Sequence, residues 1–215
     1  MKKILKEKLI QIAKDMQTRS DSAHDFNHVE RVLNLALRIA KQVQADEDIL
    51  IPAVLFHDIV VYQKKSEQSK NETNESALVA EKILNELKEY PKEKINSVLS
   101  CIRECSFSKG LQPSSLESKV LQDADRLEAT GAIAIMRTFS SGGQMNAPFY
   151  PPEDPLCEKG FIIFRSSLDL FFTRLLIVKD TMHTDYAKKL AEQRTVFLRK
   201  FLVQLKRELK ESKIL

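Results

Sequence analysis

Residues 49–61 constrain this chain more than any other stretch. Ile49, Leu50, Ile51, Ala53, Val54, Leu55, Phe56, Ile59, Val60 and Val61 are apolar, and besides Pro52 only His57 and Asp58 interrupt them. A helix that is apolar all round has no face to give to water, so other elements must enclose it. An ionised carboxylate left unpaired in such surroundings is costly and tends to take up a proton. A metal ion removes that difficulty, because neutral imidazole and carboxylate both ligate first-row divalent metals. A hydrogen-bonded His–Asp pair in the core is the alternative for this dipeptide taken alone.

The enclosing elements read as helices. Leu5, Leu9, Ile12, Ala13 and Met16 recur at helical spacing over residues 2–17. A polar stretch at 18–27 offers several N-caps, and Val29, Val32, Leu33, Ala36, Ile39, Ala40 and Val43 mark a second helix. The apolar helix comes third, with Asp46, Glu47 and Asp48 at its N-terminus, and Pro52 is tolerable only if the helix starts just before it. After a polar loop at 63–74, Ala77, Ala80, Ile83, Leu84 and Leu87 define a fourth helix. Pro91 opens a fifth bearing Ile95, Val98, Leu99 and Ile102. A sixth is expected from about 113–115 to Phe139, weakened at Gly131. Residues 140–160 hold Gly142, Gly143 and four prolines and are expected to form a long functional loop. A Phe-rich helix (Phe161, Phe164, Phe171, Phe172) and a charged helix from about Thr184 complete an all-α chain of about eight helices. Alternating β patterns and internal repeats are absent. A single domain over residues 1–215 is expected, with a site-bearing core at about 20–130 and helices at 160–210 packed on it.

Charge and cysteine content narrow the function classes. Lys and Arg exceed Asp and Glu by four, 34 against 30, and the signs are interspersed. No extended nucleic-acid or membrane footprint is therefore expected. No apolar run approaches the roughly 20 residues of a membrane span, and the charged opening MKKILKEKLIQIAK lacks a signal region. Three cysteines, Cys101, Cys105 and Cys157, make no disulfide framework, which fits a cytoplasmic protein. Cys101 and Cys105 share a helix face and read as small buried hydrophobes.

Chemistry gathers around few residues. Three of the four histidines, His24, His28 and His57, lie in the first 57 residues. Val120-Leu121-Gln122-Asp123-Ala124-Asp125-Arg126-Leu127 again places carboxylates in an apolar helix. Residues two apart on a helix point about 200° away from each other, so Asp123 and Asp125 do not easily share one ion. One of them is a ligand candidate, and the other hydrogen-bonds within the fold.

Read in order, the pattern H…HD…D in helical context resembles the HD-domain superfamily of metal-dependent phosphohydrolases. The matching stretches are H-V-E-R-V at His28, L-F-H-D-I at His57 and Asp58, and A-D-R-L at Asp125. AHDFNHVERV, LQDADRLEATGAIAIMRTF and KDTMHTDYAKKLAEQR are especially similar to small bacterial stand-alone HD hydrolases. The resemblance spans about residues 20–200. It implies an HD-domain helical bundle with His28, His57, Asp58 and Asp125 as metal ligands. It also implies hydrolysis of a phosphate ester or anhydride, most simply a nucleoside triphosphate cut to monophosphate and pyrophosphate. Dinuclear members add histidines between the HD pair and the last Asp, and this chain has none from 58 to 182. One principal ion follows. Two imidazole nitrogens, two carboxylate oxygens and waters suit octahedral Mn2+, Fe2+, Co2+, Ni2+ or Mg2+ better than a thiolate zinc site.

Further roles follow from position beside these ligands. His24, Arg31, Arg126, Lys109 and Tyr150 are candidates for contacts to substrate, Tyr150 together with Phe149 as a lid. Arg31 and Arg126 could instead pair with neighbouring acids, and His24 could serve a turn. His183, beside Thr184, reads as a helix-start residue. Glu72 is the candidate for proton transfer, expected just ahead of the fourth helix with Glu75 in its first turn, and Asp58 lies at the reacting centre. In K-N-E-T-N-E-S-A a stretch like the family's N-E-x-x-S-A follows the HD pair. Helix capping is the alternative role for Glu72. The expected partner is a small phosphate or nucleotide, with a homodimer possible. The rival functions are a non-catalytic nucleotide sensor and an iron oxygenase, the latter disfavoured by the missing histidines.

Overall fold

The apolar segment folds as the enclosed helix that its composition demands. In α3, Glu47–Phe56, every residue from Leu50 to Phe56 is buried. Helices α1 (Lys3–Met16), α2 (Phe26–Val43), α4 (Glu72–Glu86) and α5 (Ile95–Glu104) all pack against it. Each fully buried Leu, Ile or Phe contributes about 1.5–3 kcal/mol relative to exposure, so this helix anchors its surroundings. The structure is a computed structural model that describes residues 1–16, 25–62, 66–158 and 166–214. Its α-helices number eight among the described residues, with no strand. The chain divides into two compact units, Met1–Asp125 and Arg126–Leu215. None of the described helices is long and apolar enough to cross a membrane.

Pro52 lies well inside α3 rather than at its start. A proline there has no N–H for the carbonyl four residues back, that of Asp48. The Tyr90 hydroxyl donates to the Asp48 carbonyl at 2.8 Å instead. Tyr90 is 2% exposed, and burial, followed by the charge of Asp48, drives its phenol far above the ordinary value, which keeps it a donor. The helix start is fixed by Asp46, whose side chain accepts from the Asp48 amide at 2.8 Å. Lys94 binds both Asp46 and Asp48 at 2.8 Å, tying α5 to the same end.

The last helix of the first unit, α6 (Leu116–Leu127), runs into the second unit. The expected sixth helix is in fact two, because the chain breaks after Leu127 and resumes as α7, Gly131–Gln144. Gly131 has φ +69°, a left-handed conformation that favours glycine, and the Arg194 stem lies 3.3 Å from where its Cβ would be. Helix α7 then continues through Gly142 and Gly143, so the irregular stretch starts later than residue 140. Close approach explains this, since a Cβ on Gly142 would sit 1.9 Å from the Ser167 hydroxyl.

Beyond α7 the chain at Pro148 and Phe149 accepts hydrogen bonds from the amides of Ser167 and Leu168, both at 2.9 Å. Phe161 and Phe164 of the expected Phe-rich helix lie outside the described residues. Phe171–Leu175 forms a π-helical turn and Val178–Thr181 a 3-10 turn, in place of one continuous helix. Phe171 is buried and stacks on Phe201 of α8 (Asp185–Glu211) with ring centroids 5.5 Å apart. Thr184 caps α8 by accepting from the Ala187 amide.

Candidate metal centre

Helix ends deliver the polar groups. Asp25 caps α2, and its carboxylate accepts the His28 amide at 3.0 Å. That fixes the first turn of α2 and so the backbone of fully buried His28. The His–Asp pair lies at the C-terminal end of α3 rather than within it, with His57 as the C-cap and Asp58 in the following turn. This resolves the burial problem posed by the sequence. The imidazole is 1% exposed, whereas the Asp58 side chain keeps 28% of its surface. Asp125 comes from the far end of α6.

The four side chains converge. Nε2 of His28 lies 3.7 Å from Asp58 Oδ2 and 3.6 Å from Asp125 Oδ1. Nε2 of His57 lies 3.5 and 3.9 Å from the same two oxygens. The imidazole centroids are 5.6 Å apart. His28, His57 and Asp125 each offer a ligand atom, all within 4.8 Å of one another. Two metal–ligand bonds of about 2.1 Å span up to roughly 4.2 Å between donor atoms, so the nitrogen–oxygen separations of 3.5–3.9 Å suit a shared ion.

His57 supplies the sharpest test of fit. Its Nδ1 is 2.7 Å from the Val54 carbonyl. A carbonyl only accepts, so Nδ1 carries a proton, and in the neutral ring that leaves the lone pair at Nε2. That Nε2 is buried without a hydrogen-bond partner and faces two carboxylates. A lone pair aimed at anions is unfavourable, and a divalent cation between them removes the conflict. A backbone carbonyl holding the second ring nitrogen is also the usual way of orienting a ligating histidine. The residues present fit a metal ion.

The other residues singled out in the sequence fall in several places. His24 lies outside the described residues. Arg31 lies one turn along α2 from His28 and is partly exposed. Glu72 is the first residue of α4 rather than preceding it, because Asn71 takes the cap position. Its Oε1 accepts the Tyr62 amide at 2.6 Å, while Glu75 accepts the Tyr62 hydroxyl at 2.6 Å. Ser76 binds both polar groups of the Val60 peptide linkages, at 3.2 and 3.4 Å. The first turns of α4 therefore hold the chain that follows the His–Asp pair. Lys109 donates to the Thr73 hydroxyl at 2.6 Å.

Asp123 is fully buried on α6, and it is Asp125 whose carboxylate meets the imidazoles. Within the second unit, Arg126 donates to the Thr181 carbonyl at 2.6 Å and to His183 at 3.1 Å. His183 thus does more than precede a helix. Tyr150 packs against the second unit's core, and Phe149 is 66% exposed with its ring edge-on to Phe139.

Residues not anticipated from the sequence also shape the site. Tyr62 and Thr73 act through side chains with no distinctive spacing, so no pattern marks them. Cys105, read as a small buried hydrophobe, is buried at the C-cap of α5. Burial pushes its thiol well above the ordinary value, with the Asp58 and Asp125 charges adding to the rise and Lys109 opposing it.

Fold and site together define a metal-dependent phosphohydrolase, and the chain belongs to the HD-domain superfamily, whose HD domain family matches residues 25–130. A relative, the uncharacterised protein YpgQ of Bacillus subtilis, is 32% identical over 198 residues, covering 89% of this chain and 87% of YpgQ. An HD-superfamily hydrolase from Bacillus thuringiensis superposes with a TM-score of 0.71 at 30% identity, over 98% of this chain and 99% of that one. The structure of YpgQ in complex with ADP superposes with a TM-score of 0.72 at 28% identity, over 94% of each chain.

Proposed function

We propose that this hydrolase acts on nucleotides, cleaving a nucleoside triphosphate to the monophosphate and pyrophosphate. The approach of the His28 and His57 nitrogens to the Asp58 and Asp125 oxygens, at 3.5–3.9 Å, carries the reading, because such a set offers nitrogen and oxygen donors to one ion. The ADP-bound structure of the relative YpgQ supports the nucleotide part. These four residues are the proposed ligands, and the nitrogen–oxygen donor set suits Mn2+, Fe2+, Co2+, Ni2+ or Mg2+. When bound, such an ion polarises a phosphoryl oxygen and lowers the pKa of water.

The chain's own residues do the remaining work. Val54 orients His57, and Asp25 fixes the turn that carries His28. Glu72 is the proposed proton-transfer group, its carboxylate held in one orientation by the Tyr62 amide. Arg31 is proposed to contact substrate phosphate from α2. The test is the product pattern from nucleoside triphosphates incubated with Mn2+. Monophosphate and pyrophosphate in equal amounts are expected. Nucleotide binding without turnover would replace the hydrolase reading by a sensor.

A further inference from the structure

Lys109 carries a charge that no carboxylate meets among the described residues. It lies in the 3-10 turn Phe107–Lys109 that follows α5, and it is only partly exposed. Its ammonium donates to the Thr73 hydroxyl at 2.6 Å, and among the described residues no carboxylate reaches it within ion-pair distance. A partly enclosed ammonium gains from an anion that it can share with water. The nearby acids of α4 are already engaged, Glu72 with the Tyr62 amide and Glu75 with the Tyr62 hydroxyl and Asn71. A neutral hydroxyl does not balance the charge.

Through Thr73, Lys109 is tied to the stretch that follows the His–Asp pair. Thr73 sits in the same first turns of α4 that bind Val60 and Tyr62, just after Asp58. A positive group beside an anionic metal centre is placed for an anion bridging the two.

We propose that Lys109 and Thr73 form a phosphate subsite beside the metal centre, which takes the phosphate groups remote from the ion in a substrate bearing at least two linked phosphates. This rests on the nucleotide reading and deepens it. The subsite would make the enzyme select di- or triphosphates over simple monoesters, with the ammonium meeting the charge of the departing pyrophosphate.

The test uses inorganic pyrophosphate as probe, titrated calorimetrically into the full-length protein with Mg2+ present, alongside steady-state kinetics with a nucleoside triphosphate. Lys109→Met should weaken pyrophosphate binding by at least about tenfold, Thr73→Val by roughly threefold, and Lys109→Arg should restore most of it. The same Lys109→Met protein should show a raised KM for the triphosphate with unchanged helical circular dichroism. Wild-type pyrophosphate affinity in Lys109→Met, in a protein that does hydrolyse triphosphates, overturns the subsite and leaves the nucleotide reading standing. Absence of nucleotide turnover with Lys109-dependent pyrophosphate binding does the reverse. If Lys109→Arg binds as weakly as Lys109→Met in folded proteins, a merely structural lysine is indicated and the subsite is rejected.

Discussion

At the scale of single residues, Glu72 separates two roles with one substitution. Glu72→Gln keeps an oxygen to accept the Tyr62 amide, so the chain after Asp58 stays in place. Loss of proton transfer should then lower kcat by at least about tenfold with metal binding and Tm nearly unchanged. A near-normal kcat in the Gln variant would leave Glu72 as an anchor for Tyr62 only. Tyr90 makes a second residue-scale test, because its hydroxyl serves the carbonyl that Pro52 leaves without an amide. Tyr90→Phe should cost about 1–3 kcal/mol in chemical denaturation, the cost of stranding a buried acceptor.

At the scale of elements, the N-terminal end of α3 gives the protein an acid-sensitive joint. Hydrogen bonding from Lys94, and then its charge, lowers the Asp48 carboxyl below its ordinary value despite partial desolvation. The folded state thus binds a proton at Asp48 less readily than the unfolded chain does. Its contribution is fully present above the ordinary carboxylate range and is lost as pH falls through the lowered folded value. Asp48→Asn should flatten the decline in Tm below about pH 4, near the ordinary aspartate value, and leave neutral stability less affected. Gly142 tests a contact between α7 and the 166–169 segment. Gly142→Ala should destabilise by about 1–3 kcal/mol through overpacking, and Ser167→Ala should recover part of that loss by removing the hydroxyl 1.9 Å from the new Cβ.

For the whole molecule, the helical class was legible because apolar residues at 3.6-residue spacing leave little room for another reading. The need to enclose residues 49–56 was equally plain, and burial of all of Leu50–Phe56 follows from it. Helix ends were less legible. Pro52 seemed to demand a helix start, but a distant Tyr90 supplies what the proline removes, and no local pattern announces such a partner. Gly142 and Gly143 read as loop because glycine is usually a breaker, whereas close packing at Ser167 explains Gly142 within a helix. At the site, the order of His28, His57, Asp58 and Asp125 could be read directly. The choice between Asp123 and Asp125 could not be made from helical spacing alone, which separates the two without saying which way either points. The roles of Thr73 and Tyr62 depend on how α4 meets neighbouring loops, a relation that only tertiary packing creates.

Metal stoichiometry in three folded proteins tests the centre most directly. Wild type, Asp125→Ala and Asp123→Ala are each equilibrated with Mn2+, and bound metal per chain is measured alongside the helical circular-dichroism spectrum. Because Asp125, not Asp123, faces both imidazoles, one ion per chain is expected for wild type and for folded Asp123→Ala, and none for Asp125→Ala. A well-folded Asp125→Ala protein that still holds one ion per chain would contradict the proposed coordination.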